Sequence, residues 1–331
     1  MKVLVVSGFL GAGKTTFIQR LISRSTERLV VLENEFGGTD VDRKIIAKDS
    51  GAEVQELTEG CVCCTKSPQL HASVMTIEST VSPDLLIVEP SGVGALGNVM
   101  RILRKIEYER ITLLPPVTIV DAENFHQNLK LFEEVFTDQL KSSARILISK
   151  PENPDPRLYE DIRNRIRALN PSASVSERHY SLEPDSWWQS LLNPATVQVG
   201  TDASYAESRS PELETFTVKN CSVASPVTLL WLLERVVRGE CGFIVRAKGI
   251  LPAGKDWVRF DVVSGRISVE GTEPVAGYSG AECVWIGRGI NREFIEKCIN
   301  PLRNEVRPFD VLSGNRRNGT VSDAASEMVS H

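Results

Sequence analysis

Gly8-Phe9-Leu10-Gly11-Ala12-Gly13-Lys14-Thr15 follows the pattern G-x-x-x-x-G-K-[ST], and its reading decides the fold. Glycines at this spacing let successive backbone N–H groups turn inward around phosphate oxygens. The lysine after the last glycine reaches the β- and γ-phosphates, and the next hydroxyl binds Mg²⁺. The candidate nucleotide-binding residues are therefore Gly8, Gly11, Ala12, Gly13, Lys14, Thr15 and Thr16. Lys14 is also a candidate catalytic group, and Thr15 a magnesium ligand. An ordinary glycine-rich turn can match the same pattern by chance, but the flanks argue against it. Residues 3–6 are wholly apolar, as a buried parallel strand is, and Ile18, Leu21 and Ile22 mark a helix behind the loop. A helix starting there offers its positive end to the phosphates.

Outward from this loop, apolar runs predict further strands at 29–32, 85–88, 117–120 and 146–148. Helical stripes separate them. Leu70, Val74 and Ile77 follow the start signal Ser67-Pro68, and Leu96, Val99, Leu103 and Ile106 form a second stripe. Phe125, Leu129, Phe132, Val135 and Phe136 read as one helix, and Leu158, Ile162, Ile166 and Leu169 follow the cap Asp155-Pro156. Strands alternating with helices predict an α/β, doubly wound, mostly parallel sheet.

Glu89 closes the strand at 85–88. Alone it would read as a solvated strand end; behind a phosphate loop it reads as the acid that holds the water shell of Mg²⁺. Gly92 is placed to offer its N–H to a γ-phosphate. Guanine readers carry N-K-x-D after a buried strand, with the Asp accepting from guanine N1 and N2. Ser149-Lys150-Pro151-Glu152 has that position with two different identities, so Ser149, Lys150 and Glu152 predict a guanine preference weaker than usual.

The rhythm changes near residue 195. Residues 196–212 are polar and read as a linker. From 213 to 302, five short strands and two helices predict a smaller α+β domain. One helix opens at Ser225-Pro226 and ends at Gly239; the other starts at Asn291 and stops at Pro301. Residues 303–331 read as a polar tail, leaving 1–195 as the nucleotide domain.

The chain has 331 residues, a formal net charge of -5 and no basic block, which weighs against a nucleic-acid binder. No run approaches the ~20 apolar residues of a membrane span, and residues 3–6 fall short of the about 7–15 of a secretory signal. A cytoplasmic protein is expected, with its seven cysteines reduced. Cys221, Cys241, Cys283 and Cys298 look like small core residues. Gly60-Cys61-Val62-Cys63-Cys64 does not, because its surroundings are polar. Three thiolates at Cys61, Cys63 and Cys64 cover three corners of a tetrahedral Zn²⁺ or Co²⁺ site. An incomplete shell suits a metal that is passed on; His71 is the only histidine nearby. The cluster lies between the phosphate loop and Glu89, an interval that responds to the γ-phosphate in P-loop switches. Glu33, at the end of the second strand, is a further metal candidate in that interval.

These residues resemble the CobW-type GTPases, relatives of the hydrogenase and urease maturation GTPases. The resemblance rests on 8–16, Asn34-Glu35-Phe36-Gly37 with Asp42, the C-x-C-C loop and Glu89-Pro90-Ser91-Gly92. In the second half it rests on Val245-Arg246-Ala247-Lys248-Gly249 and Trp285-Ile286-Gly287-Arg288. It implies a GTP-hydrolysing domain, a CobW C-terminal domain and metal delivery to a metalloenzyme or cobalamin-pathway client. A homodimer is compatible with it. Gly38 stands where the family often has an acid, and the four histidines form no storage tract. Asp42 and Glu35 are the candidates for orienting the attacking water. The competing readings are a non-catalytic nucleotide-gated regulatory module and an ATP-using P-loop kinase; no Arg-rich lid supports the kinase.

Overall fold

Alternate side chains of the first strand enter two different cores, which is why the run is apolar throughout. In the computed structural model β1 (Lys2–Gly8) sends Leu4 and Val6 toward Phe17, Ile18 and Leu21 of α1 (Lys14–Ile22). Val3 and Val5 join Leu70, Val74 and Ile77 of α2 (Ser67–Thr80) and Leu96, Val99 and Leu103 of α3 (Leu96–Arg104). The structure describes residues 1–33, 53–56, 67–150, 155–193, 213–263, 265–273 and 281–299. The expected linker at 196–212 and tail at 303–331 lie outside them.

The expected parallel sheet is present. Its further strands are β2 (Leu29–Glu33), β3 (Glu53–Glu56), β4 (Leu85–Glu89), β5 (Thr112–Leu113), β6 (Val117–Asp121), β7 (Arg145–Ser149) and β8 (Ser174–Val175). The order is β3-β2-β4-β1-β6-β7-β8, with β5 also paired to β1. Strand order therefore reverses around β1. Ligands of open α/β sheets bind outside the carboxyl ends of the strands at such a switch point, and the glycine-rich loop leaves β1 there.

Three strands exceed the sequence expectation. β3 reads Glu-Val-Gln-Glu and has no apolar run, while β5 and β8 are two residues each. The single helix expected through Phe132 is two helices, α4 (Phe125–Leu131) and α5 (Glu133–Lys141). Phe132 leaves helical geometry at φ −133, ψ 39, yet stays buried with its ring 4.7 Å from that of Phe9. The apolar stripe thus survives a break in the backbone. Beyond β8, a 3₁₀ turn (Tyr180–Leu182) and α7 (Asp185–Leu191) bring Tyr180 and Trp188 against Phe17.

Asp155 caps α6 (Pro156–Leu169) as expected, its side chain accepting from the Arg157 N–H at 2.9 Å. Asp155→Ala is expected to cost about 1 kcal/mol of stability, read as a lower midpoint in denaturant unfolding.

The second half forms an antiparallel sheet, in the order β12-β11-β10-β13-β9. Its strands are β9 (Glu214–Lys219), β10 (Phe243–Ala253), β11 (Asp256–Val263), β12 (Arg266–Thr272) and β13 (Glu282–Arg288). α8 (Pro226–Val237) and α9 (Arg292–Ile299) pack Leu229, Leu232, Leu233 and Ile295 against Ala247, Leu251, Phe260 and Trp285. Ser225 caps α8 by accepting from the Thr228 N–H. Among the described residues no helix is long and apolar enough to cross a membrane.

Candidate functional site

The carboxyl ends of β1, β4, β6 and β7 meet at the glycine-rich loop. β1 delivers Gly8 at φ 144, where a Cβ would stand 2.4 Å from the Ile119 carbonyl oxygen of β6. Only glycine permits that approach. Gly11 and Gly13 take φ 73 and 98, and α1 begins directly behind Gly13 with no side-chain cap and no acid in its first turn. Its positive end is thus turned toward the loop.

Lys14 is 6% exposed. Its Nζ donates to the carbonyls of Gly8 at 3.1 Å and Phe9 at 3.4 Å, and lies 3.8 Å from Glu89 Oε1. An ammonium held by its own loop carbonyls and beside the Glu89 carboxylate is preorganised for an anion entering the same cup. Glu33, 7% exposed at the end of β2, stands in register with Glu89 on the adjacent strand. Thr15 is half-buried and Thr16 exposed at the start of α1.

The far wall comes from the end of β7. Ser149 Oγ donates to the Ala12 carbonyl at 2.6 Å and to Val120 at 3.2 Å. Lys150 Nζ donates to the Gly11 carbonyl at 2.7 Å, from a residue with φ 39. The hydroxyl and the ammonium therefore fasten the end of β7 to the loop backbone at consecutive peptide units. Gly92 closes the near wall; a Cβ on it would lie 2.8 Å from the Leu10 nitrogen.

Gln139 and Tyr180 complete the frame and were not singled out by sequence. Gln139 is wholly buried and donates to the carbonyls of Gly92 at 3.2 Å and Gly94 at 2.9 Å. A polar residue on the apolar face of α5, among Val135, Phe136 and Leu140, was the available signal. Tyr180 is buried, with its hydroxyl 3.9 Å from where a Cβ on Gly13 would stand; nothing local marks it.

On the rim, Arg266 of β12 pairs with Glu123, which follows β6. The Arg266 hydrogen bond holds the Glu123 carboxyl below its ordinary range, and Lys150 adds to the effect. A depressed carboxylate pKa contributes stability above its unfolded value and loses it as pH falls through the folded one. The contact therefore weakens in acid.

The structure thus brings together Gly8, Gly11, Ala12, Gly13, Lys14, Thr15, Thr16, Glu89, Gly92, Ser149 and Lys150, with Glu33 on the neighbouring strand. Glu35, Asp42, Cys61, Cys63, Cys64 and Glu152 lie outside the described residues. Among those described, no group of three or more His, Cys, Asp or Glu is arranged to hold a metal ion.

A family model described as CobW/HypB/UreG, nucleotide-binding domain, matches residues 2–177. Zinc chaperone YeiR of Escherichia coli (strain K12) is 33% identical over 155 residues, 46% of this chain and 47% of that protein. Zinc chaperone CobW of Sinorhizobium sp is 26% identical over 289 residues, 74% of this chain and 79% of that one. Zinc-regulated GTPase metalloprotein activator 1 of Schizosaccharomyces pombe (strain 972 / ATCC 24843) is 26% identical over 187 residues, 54% of this chain and 46% of that one. The chain spans about half the length of the first and third of these relatives.

Proposed function

The chain belongs to the CobW/HypB/UreG family, and on that footing we propose that it is a GTP-hydrolysing metallochaperone. It binds Zn²⁺ or Co²⁺ through Cys61, Cys63 and Cys64 and passes the metal to a metalloenzyme or cobalamin-pathway client in the cytoplasm. Relatives named as zinc chaperones and as a zinc-regulated GTPase support this reading. The observation that carries it is the Lys14 cup, where a buried ammonium faces Glu89 and the loop carbonyls behind the uncapped start of α1.

In this reading the N–H groups of 11–16 and Lys14 hold the β- and γ-phosphates of GTP. The hard oxygens of Thr15 and Glu89 suit Mg²⁺, with Glu89 acting through water. When bound, that ion neutralises charge on the transferring phosphoryl group. Lys14 moves from its loop carbonyls to the phosphate oxygens as negative charge develops there. Gly92, backed by Gln139, presents its N–H to the γ-phosphate, and Glu35 or Asp42 orients the attacking water. Ser149 and Lys150 set the base-side wall, with Glu152 accepting from guanine. Turnover is slow until a client docks. The nucleotide domain is 1–195, joined by the linker 196–212 to a domain at 213–302.

Metal delivery driven by the nucleotide requires zinc affinity to differ between the GTP and GDP states, because the cysteines lie in the interval between Lys14 and Glu89. Coupling of about 5–150-fold is expected, measured by competition against a chromophoric chelator with GDP or a non-hydrolysable GTP analogue. Equal affinities, with both ligands bound, would leave a nucleotide-gated regulatory module. Equal turnover of ATP and GTP would remove the guanine assignment.

A further inference from the structure

The outer curve of the glycine-rich loop is not open to solvent; it rests on the antiparallel sheet. Phe9 and Leu10 are 1% and 6% exposed and share a core cluster with Val245 of β10. Phe132, which lies on Phe9, faces Phe243 of the same strand with ring centroids 5.9 Å apart. At Gly11 a Cβ would stand 2.3 Å from Val263 Cγ1, at the end of β11. A methyl of the second sheet thus occupies the place of a side chain on the loop. The carbonyl of the same glycine accepts from Lys150. Arg266, just past the β11–β12 turn, pairs with Glu123. Three consecutive loop residues, 9–11, are therefore held from the second sheet, and the next, Ala12, is held by Ser149.

A loop with φ 144, 73 and 98 at three glycines has many other conformations open to it. Apparent affinity falls in proportion to the fraction of molecules holding the competent shape. Packing of two sheets for stability alone gives no reason for the contact to fall on the one loop that cradles phosphate.

We propose that the antiparallel sheet is part of the nucleotide site, with Val245 and Val263 as positioning residues that hold 9–11 in the phosphate-cradling shape. By linkage, bound nucleotide then tightens the contact between the two sheets. The inference rests on the nucleotide reading above.

The full chain and Val263→Ala are titrated with a fluorescent GDP analogue and Mg²⁺, with Val227→Ala, on the 73%-exposed Val227, as surface control. Hydrogen exchange of peptides covering 8–16 and 256–273 is followed with and without GDP. Val263→Ala is expected to bind GDP and GTP about tenfold more weakly, and Val263→Ile to recover most of the loss. GDP is expected to slow exchange in both peptides of the wild type. Wild-type affinity in Val263→Ala, with protection confined to 8–16, would overturn the proposal. Protection in neither peptide would overturn the nucleotide reading and this inference with it. If Val263→Ala does not fold, Arg266→Glu decides the matter: weaker binding restored by adding Glu123→Arg supports the proposal, and unchanged binding overturns it.

Discussion

Lys14→Ala is expected to bind GDP and GTP roughly 30- to 4,000-fold more weakly than the wild type. Removing one member of a buried, hydrogen-bonded charge pair costs about 2–5 kcal/mol, and each 1.4 kcal/mol is about tenfold in affinity. Lys14 sits at the high-cost end of that description. It is almost wholly buried, and Glu89 lies 3.8 Å away. The variant leaves the Glu89 carboxylate and the Gly8 and Phe9 carbonyls facing the incoming phosphates without the Lys14 ammonium. Lys14→Met keeps the apolar stem and separates lost charge from lost packing; it is expected to lose nearly as much affinity. Isothermal titration with GDP and Mg²⁺ measures both. Wild-type affinity in either variant would dissociate the lysine from phosphate binding.

The second large effect concerns metal. With Cys61, Cys63 and Cys64 changed to Ser, cobalt is expected to lose its thiolate charge-transfer band, and zinc affinity to fall by more than about 1,000-fold. Thiolate zinc sites reach apparent binding free energies of about 10–16 kcal/mol near neutral pH, and a serine hydroxyl stays protonated there. Cys241, Cys283 and Cys298 are poor substitutes. Burial pushes Cys241 up to about 12 and Cys298 to about 11, and raises Cys283 well above the ordinary thiol range. At neutral pH they stay protonated, and the thiolate is the ligand. The arrangement most able to contradict this is Cys221 with Cys283, whose sulfurs lie 3.3 Å apart inside the antiparallel sheet. A band that survives the triple change but disappears in Cys283→Ala would move the site there.

The parts of this protein readable from sequence are those fixed by local chemistry. Residues 3–6 had to be a buried strand because both faces are covered, and Asp155 and Ser225 had to be caps because each precedes a proline at a helix start. Ser149 and Lys150 were placed by motif position, but motif position does not say what they touch. Their contacts to Ala12 and Gly11 cross 137 and 139 residues of chain. β10 runs from Phe243 to Ala253 through Gly249 and Pro252, two residue types that usually interrupt a strand. In the sheet, the bare α-carbon of Gly249 makes room for Cys283 and Phe260, since a Cβ there would stand 2.6 and 2.7 Å from them. Pro252 pairs with Trp257 near the β10–β11 turn. Val263 carried no signal, because an ordinary strand valine becomes part of the loop's wall only when two distant sheets meet.

The position of β1 bears on how the chain is made. Its lower half pairs with β4 at 85–88 and its upper half with β6 at 117–119. Neither neighbour exists when β1 leaves the ribosome. At about 5–20 residues per second, synthesis reaches Asp121 roughly 5–20 seconds later. During that interval Val3, Leu4, Val5 and Val6 form an apolar ribbon with both edges unpaired, the kind of segment that aggregates or engages a chaperone. The strand that carries the glycine-rich loop thus waits for partners on both sides, each of which follows it in the chain. Nascent chains stalled before residue 117 are left with the loop unanchored on its β6 side.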